Sequence, residues 1–173
     1  VFAKELEAAS GRTIGYRDEG TLIVAPTRDD AEQLRFTYEY QKSQGLDVHW
    51  LNAAEVRRRE PYLAPGLSGG VFSPGDHQVD NRELSLALKA AFLAAGGELH
   101  EHTAVDGLAL SAGRVTGIVV AGAEIEADTV VLAAGAWSRD IDGLPEGARP
   151  PVRPLKGQMM ALRMEPVFPL LRH

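Results

Sequence analysis

A chain of 173 residues with 45% apolar side chains can bury the core of one ordinary domain or of two partial ones. Eighteen Lys and Arg against 24 Asp and Glu leave a net charge of -6, and no basic stripe interleaved with aromatics occurs, which disfavours a nucleic-acid surface. There is no cysteine, hence no disulfide framework or thiolate nucleophile, and no apolar run approaches the roughly 20 residues of a membrane span, so the expected compartment is the cytoplasm.

In chain order, the sequence opens on Val1 inside an expected helix, with Phe2, Leu6 and Ala9 at helical spacing. That opening, and the close at His173 after two prolines, suggest a piece of a longer polypeptide. Residues 21–25 read as a short strand. Thr27 with Asp30, Asn52 with Glu55 and Asp80 with Glu83 each pair an N-cap acceptor with an acidic residue in the first turn and predict three helix starts. The first runs over about 28–44 to Gly45 and turns Ala31, Leu34 and Tyr38 inward. The second, with a staple between Leu51 and Val56, is short and ends before Pro61. Its Arg57-Arg58-Arg59 run, bracketed by Glu55 and Glu60, reads as a solvated face.

Residues 70–73 form a second expected strand. The third helix, over about 81–95, ends at Gly96-Gly97 and should bury Leu84, Leu88, Ala91, Phe92 and Ala95. Residues 98–103 then predict a strand with His100 and His102 on one face, a spacing metals use, although no third ligand has sequence support. Residues 108–111 and 115–121 flank Ala112-Gly113, a hairpin signal, and 124–126 adds a third antiparallel strand. The run from Asp128 to Trp137, Asp-Thr-Val-Val-Leu-Ala-Ala-Gly-Ala-Trp, is apolar and unbroken up to a glycine, as in a parallel strand buried on both faces.

These elements predict a mixed α/β fold. A dinucleotide-binding fold normally begins with a strand, a Gly-x-Gly-x-x-Gly turn and a helix, because a pyrophosphate needs open amides at a helix start. No such turn exists in the sequence: Gly69-Gly70 and Gly96-Gly97 have the wrong spacing, and the second pair follows a helix.

Several segments together resemble one family. They are 10–16 and 19–25, Asp76-His-Gln-Val-Asp80, Gly97-Glu-Leu-His-Glu-His-Thr-Ala-Val105, the run ending in Trp137-Ser138, and Pro151-Val-Arg-Pro-Leu-Lys-Gly-Gln158. In this order they resemble the FAD-dependent amine oxidases of the D-amino-acid oxidase, glycine oxidase and sarcosine oxidase superfamily, and among those the glycine oxidases most. The resemblance implies part of an FAD-binding Rossmann-like domain plus part of an antiparallel-sheet substrate domain. Residues 1–75 would be mainly substrate domain, 76–150 cofactor domain, and 151–173 the return into the substrate domain. The missing glycine-rich turn would lie before Val1.

The resemblance also assigns site residues. Val105, ending the strand after the third helix, would lend its main-chain N–H and C=O to the adenine of FAD; a residue entering a turn from the core explains it equally. Ala133, Ala134, Gly135 and Trp137 would form a backbone-lined wall near the ribityl and pyrophosphate groups. Small residues at a strand end also suit close helix packing, and a tryptophan suits a core. Gly157, in a Lys-Gly-Gln triplet, would mark a close backbone passage or bulge. Apart from the resemblance, His77 before the third helix could line a site, and a surface histidine of the cap region explains it too. The implied chemistry is oxidation of a small amine or amino acid: hydride passes from substrate Cα to flavin N5, the imine hydrolyses, and oxygen reoxidises the flavin with peroxide release. The arginine that binds the substrate carboxylate and the tyrosine that closes the pocket would lie beyond His173, so no catalytic residue is assigned in the chain. Two alternatives stand: a dehydrogenase of the same superfamily that passes electrons from a D-amino acid or glycerol phosphate to another acceptor, and a truncated module without activity. Partners are then a small amine or amino-acid substrate, no nucleic acid and no membrane span, with a homo-oligomer left open.

Overall fold

The protein is described by a computed structural model covering residues 2–158 and Leu171. It divides into two compact units, one holding the described residues 2–98 together with Leu171 and the other residues 99–158. The first contains α1 (Phe2–Ser10), β1 (Thr21–Ala25), α2 (Arg28–Ser43), β2 (His49–Leu51), α3 (Ala53–Arg59), β3 (Gly69–Ser73) and α4 (Asn81–Ala94).

Its sheet has the order β1-β3-β2, and β3 is antiparallel to both neighbours, with Ile23 and Trp50 both opposite Val71. Strand alternation sends Leu22, Val24, Leu51 and Phe72 to one face, where they close on Val56 of α3 together with Leu63 and Leu67. The opposite face carries Ala25 and Val71, both buried, beneath the inward side of α2. On that side Tyr38 meets Trp50 edge-on at 6.1 Å, and the Arg35 guanidinium lies 4.1 Å from the indole ring. A separate cluster joins α1 to α4, with Leu6, Ile14 and Ala87 at its centre and Ala3, Leu84 and Ala91 around them.

The caps form as their residues dictate. Thr27 and Asp30, then Asn52 and Glu55, make reciprocal capping boxes, while Asp80 accepts from the Arg82 and Glu83 amides. Glu83 does not reach back; its carboxylate pairs with Arg12 at 2.9 Å. At the other end of α2, Gly45 at φ 79° lets its own N–H reach Lys42 and the Leu46 N–H reach Gln41, the two bonds of a Schellman stop.

The second unit is built on a meander of β4 (Gly107–Ser111), β5 (Arg114–Val120) and β6 (Ala123–Glu126). Ala112 at φ 48° and Gly113 at φ 77° supply the two left-handed residues that a two-residue hairpin turn requires, as do Ala121 and Gly122 one turn later.

Several expectations are corrected. Residues 98–103 form no strand: α4 ends in a Schellman stop at Gly96 and Gly97, and His102 then turns at φ 56°, so His100 and His102 share no strand face. Residues 128–134 form no strand either, and Gly135–Trp137 is a turn of 3-10 helix. Val131 is 82% exposed, since no strand among the described residues pairs with this run and a two-face burial needs sheet neighbours. The inward face of α4 is Leu84, Ala87 and Ala91, while Leu88, Phe92 and Ala95 are exposed, because a close approach of α1 selects the alanines. Glu60 is 3% exposed and does not belong to a solvated face; Arg59 of that run lies over the Phe72 ring at 3.8 Å. Strand β2 has no counterpart in the expected elements.

Two glycines with similar backbone give a test. Gly20 (φ 90°) leads into β1 where a Cβ would come within 2.6 Å of the Phe72 ring and 2.9 Å of the Ser73 carbonyl, whereas at Gly45 (φ 79°) a Cβ meets nothing within 4 Å. Gly45→Ala should cost about 1 kcal/mol from the left-handed backbone alone, and Gly20→Ala about 3 kcal/mol or more from backbone plus collision, read as shifts in urea midpoint.

Candidate functional site

All six residues assigned from the sequence lie in the second unit, beyond Leu99. Val105 precedes β4 and is 39% exposed, so it is not a core residue entering a turn. Its main-chain N–H and C=O have no hydrogen-bond partner among the described residues. The chain engages again at once, with the Asp106 amide donating to the Val119 carbonyl and the Asp106 carboxylate accepting from the Gly122 amide. Val105 is therefore an unpaired peptide unit at the edge of a firmly bonded hairpin.

Ala133 and Ala134 lead into the 3-10 turn, whose bonds run from the Trp137 amide to Ala134 and from the Ser138 amide to Gly135. Gly135 has φ 56°, and a Cβ built on it meets nothing within 4 Å. Within this chain the glycine is thus required by its backbone conformation and not by a neighbouring helix. Trp137 is 73% exposed, so the indole is not a core side chain, while Ser138 beside it is buried. Gly157 is exposed and lies outside any strand. The remainder of the expected return, 159–170 with 172 and 173, falls outside the described residues.

The hairpin is tied to the segment after the turn by a parallel bridge between Gly107 and Asp142 and by the Leu108 amide donating to the Asp142 carbonyl at 2.9 Å. That tie brings the strand that starts beyond Val105 alongside the chain that leaves Trp137. An open groove of ≈ 600 Å³ on the meander, lined by Ser111, Arg114, Thr116, Glu126 and Asp128, takes in none of the six residues.

One pair was not anticipated. In the first unit the Tyr16 hydroxyl lies 2.6 Å from His77 Nδ1, with the rings edge-to-face at 5.5 Å. The residues are 61 positions apart, and no periodicity or spacing connects them.

The chain matches the family described as DAO, FAD dependent oxidoreductase, over residues 1–172. It is 36% identical over 165 residues to the glycine oxidase of Geobacillus kaustophilus, covering 94% of this chain and 43% of that protein. It is 35% identical over 122 residues to an L-2-hydroxyglutarate dehydrogenase of Escherichia coli, covering 70% of this chain and 28% of that one. The crystal structure of glycine oxidase from Geobacillus kaustophilus superposes with a TM-score of 0.70 at 34% identity, over 86% of this chain and 38% of that chain. The chain therefore spans less than half the length of these relatives. Matched along nearly its whole length, the chain belongs to the DAO family of FAD-dependent oxidoreductases.

Proposed function

We propose that these residues form the central part of an FAD-dependent oxidase of small amines or amino acids, with glycine, sarcosine or a D-amino acid as substrate and peroxide as the reduced product of oxygen. Residues 1–75 are then mainly substrate domain, 76–150 a portion of the cofactor domain and 151–173 the return. The match along residues 1–172 carries this reading, and the identity to a glycine oxidase favours an amine as substrate.

The residues present fit the cofactor in two respects. The N–H and C=O of Val105, without a partner among the described residues, form a donor and acceptor pair of the kind an adenine edge requires, and the side chain takes no part. The left-handed Gly135, with nothing where a Cβ would project, leaves room for close approach to its main chain. Ala133 and Ala134 keep that approach low, and Trp137 and Gly157 are assigned to the same wall, the exposed indole being covered once the cofactor is seated. When bound, FAD supplies the two-electron acceptor. The part of this chain is to position and to shield, with no acid–base group invoked among its residues. No helix among the described residues is long and apolar enough to cross a membrane, and we place the protein in the cytoplasm.

The full-length protein should be a yellow flavoprotein that consumes oxygen when given glycine, sarcosine or a small D-amino acid. Dye reduction without oxygen uptake would instead indicate a dehydrogenase, and the absence of both flavin absorbance and amine-dependent turnover would refute the reading.

Residues 1–173 alone lack the glycine-rich turn whose amides hold a pyrophosphate, so titration with FAD should give only weak flavin quenching. Tight, stoichiometric binding would contradict the assignment.

In the full-length protein, Val105→Ala should leave the FAD dissociation constant within about twofold, whereas Val105→Pro, which deletes the amide hydrogen, should raise it about tenfold. An equal effect of the two, at matched thermal stability, would show that the main chain of Val105 is not the contact.

A further inference from the structure

The chain passes twice between the α1–α4 pair and the three-stranded sheet, outward through residues 12–20 and back through 74–80, and the two passages are bonded into a strap. At the helix end Ile14 is 2% exposed in the α1–α4 cluster; its amide donates to the Glu7 carboxylate, and its carbonyl accepts from the Asp80 amide. Asp80 caps α4 at the same time, and Arg12 reaches Glu83 in the first turn of that helix. In the middle, Arg17 and Gln78 exchange both main-chain bonds, at 2.9 and 3.0 Å. At the sheet end the Thr21 hydroxyl donates to the Asp76 carbonyl.

Beside the Arg17–Gln78 bridge stand Tyr16 and His77. His77 Nε2 lies 3.2 Å from the Pro74 carbonyl, which can only accept, so that nitrogen carries the hydrogen. In the neutral ring Nδ1 is then bare, and the Tyr16 hydroxyl donates to it across 2.6 Å. The ring is thereby held from both sides: one nitrogen reports the position of the turn after β3, the other the position of the outgoing passage. Tyr16 also lines a groove with Ile14, Val79 and Leu84, so removing its hydroxyl alone leaves the ring packed.

Resting on the proposed function, which places the boundary between substrate and cofactor portions at residues 75 and 76, we infer that the Tyr16–His77 hydrogen bond is a positioning couple for the oxidation. It fixes α4, the first element of the cofactor portion, against the sheet of the substrate portion. Any effect of the couple on turnover runs through that placement of α4, which makes Tyr16 and His77 positioning residues.

The test uses Tyr16→Phe, His77→Leu, His77→Asn and the double variant Tyr16→Phe/His77→Leu in the full-length, FAD-loaded protein, assayed well below its unfolding temperature. Tyr16→Phe and His77→Leu should each lower kcat about fivefold with KM within about twofold, at unchanged flavin content. The double variant should lose no more than either single one, and His77→Asn, which keeps an acceptor near Nδ1, should recover most of the rate. Urea unfolding of the same set should show the same non-additivity, a readout independent of turnover. An unchanged kcat in Tyr16→Phe, or losses that multiply in the double variant, would overturn the inference. A wild-type protein without flavin or amine oxidation removes the proposed function and the positioning role together, while additive unfolding would remove the couple itself.

Discussion

The first unit depends on the close quarters of β3. Gly70 sits where a Cβ would come within 2.7 Å of the Ile23 carbonyl and 3.1 Å of Val56, so the neighbouring strand and α3 occupy the space a side chain would need. Gly69, at φ 149° and within 3.0 Å of the Leu51 carbonyl by the same measure, narrows the strand at the adjoining position. With both edges of β3 paired and its faces covered by α2 and α3, the central strand carries Val71 and Phe72 as its only bulky apolar side chains, one to each layer. A strand with so little side chain is held by what surrounds it.

What was legible in the sequence follows the range of the forces involved. Capping boxes at Thr27 and Asn52 close within three residues, and left-handed stops at Gly45 and Gly96 close within six, so their partners stand next to one another in the sequence. Hairpin turns at 112–113 and 121–122 are equally local; the first pair stands between two expected strands, whereas Ala121 of the second falls at the end of the expected strand 115–121. The short β2 has only three residues and takes its extended form from β3, so its own pattern carries no signal.

Where two distant segments must meet, the pattern gave a necessary condition and no more. Residues 129–134 have the composition of a strand buried on both faces, and they remain unpaired among the described residues because composition does not supply a neighbour. The same limit applies to the candidate site. That Gly135 needs a left-handed backbone is a local fact, visible in the choice of glycine. That Val105 leaves its peptide unpaired is a fact about the hairpin beside it and could come only from the fold. The Tyr16–His77 bond lies wholly outside what spacing can show, since the two residues stand 61 positions apart.

Helix α4 shows why size is a poor guide to which face of a helix turns inward. Leu88 and Phe92 repeat at helical spacing and would dominate any estimate of apolar area, yet Ala87, fully buried, makes the contact with Leu6 and Ile14. A small side chain lets the axes of α1 and α4 approach, and Asp80 and Glu83 fix the rotation of α4 by engaging the strap at its first turn. Once the first turn is fixed, every later residue has its direction set at 100° per step, and the large side chains go where the geometry sends them. The strap therefore decides more than the spacing of two layers: by setting the rotation of α4 it also decides which apolar residues of that helix are left outward. A rotation of one residue would bring Leu88 inward and withdraw Ala87, and would carry Glu83 away from Arg12, its partner at 2.9 Å.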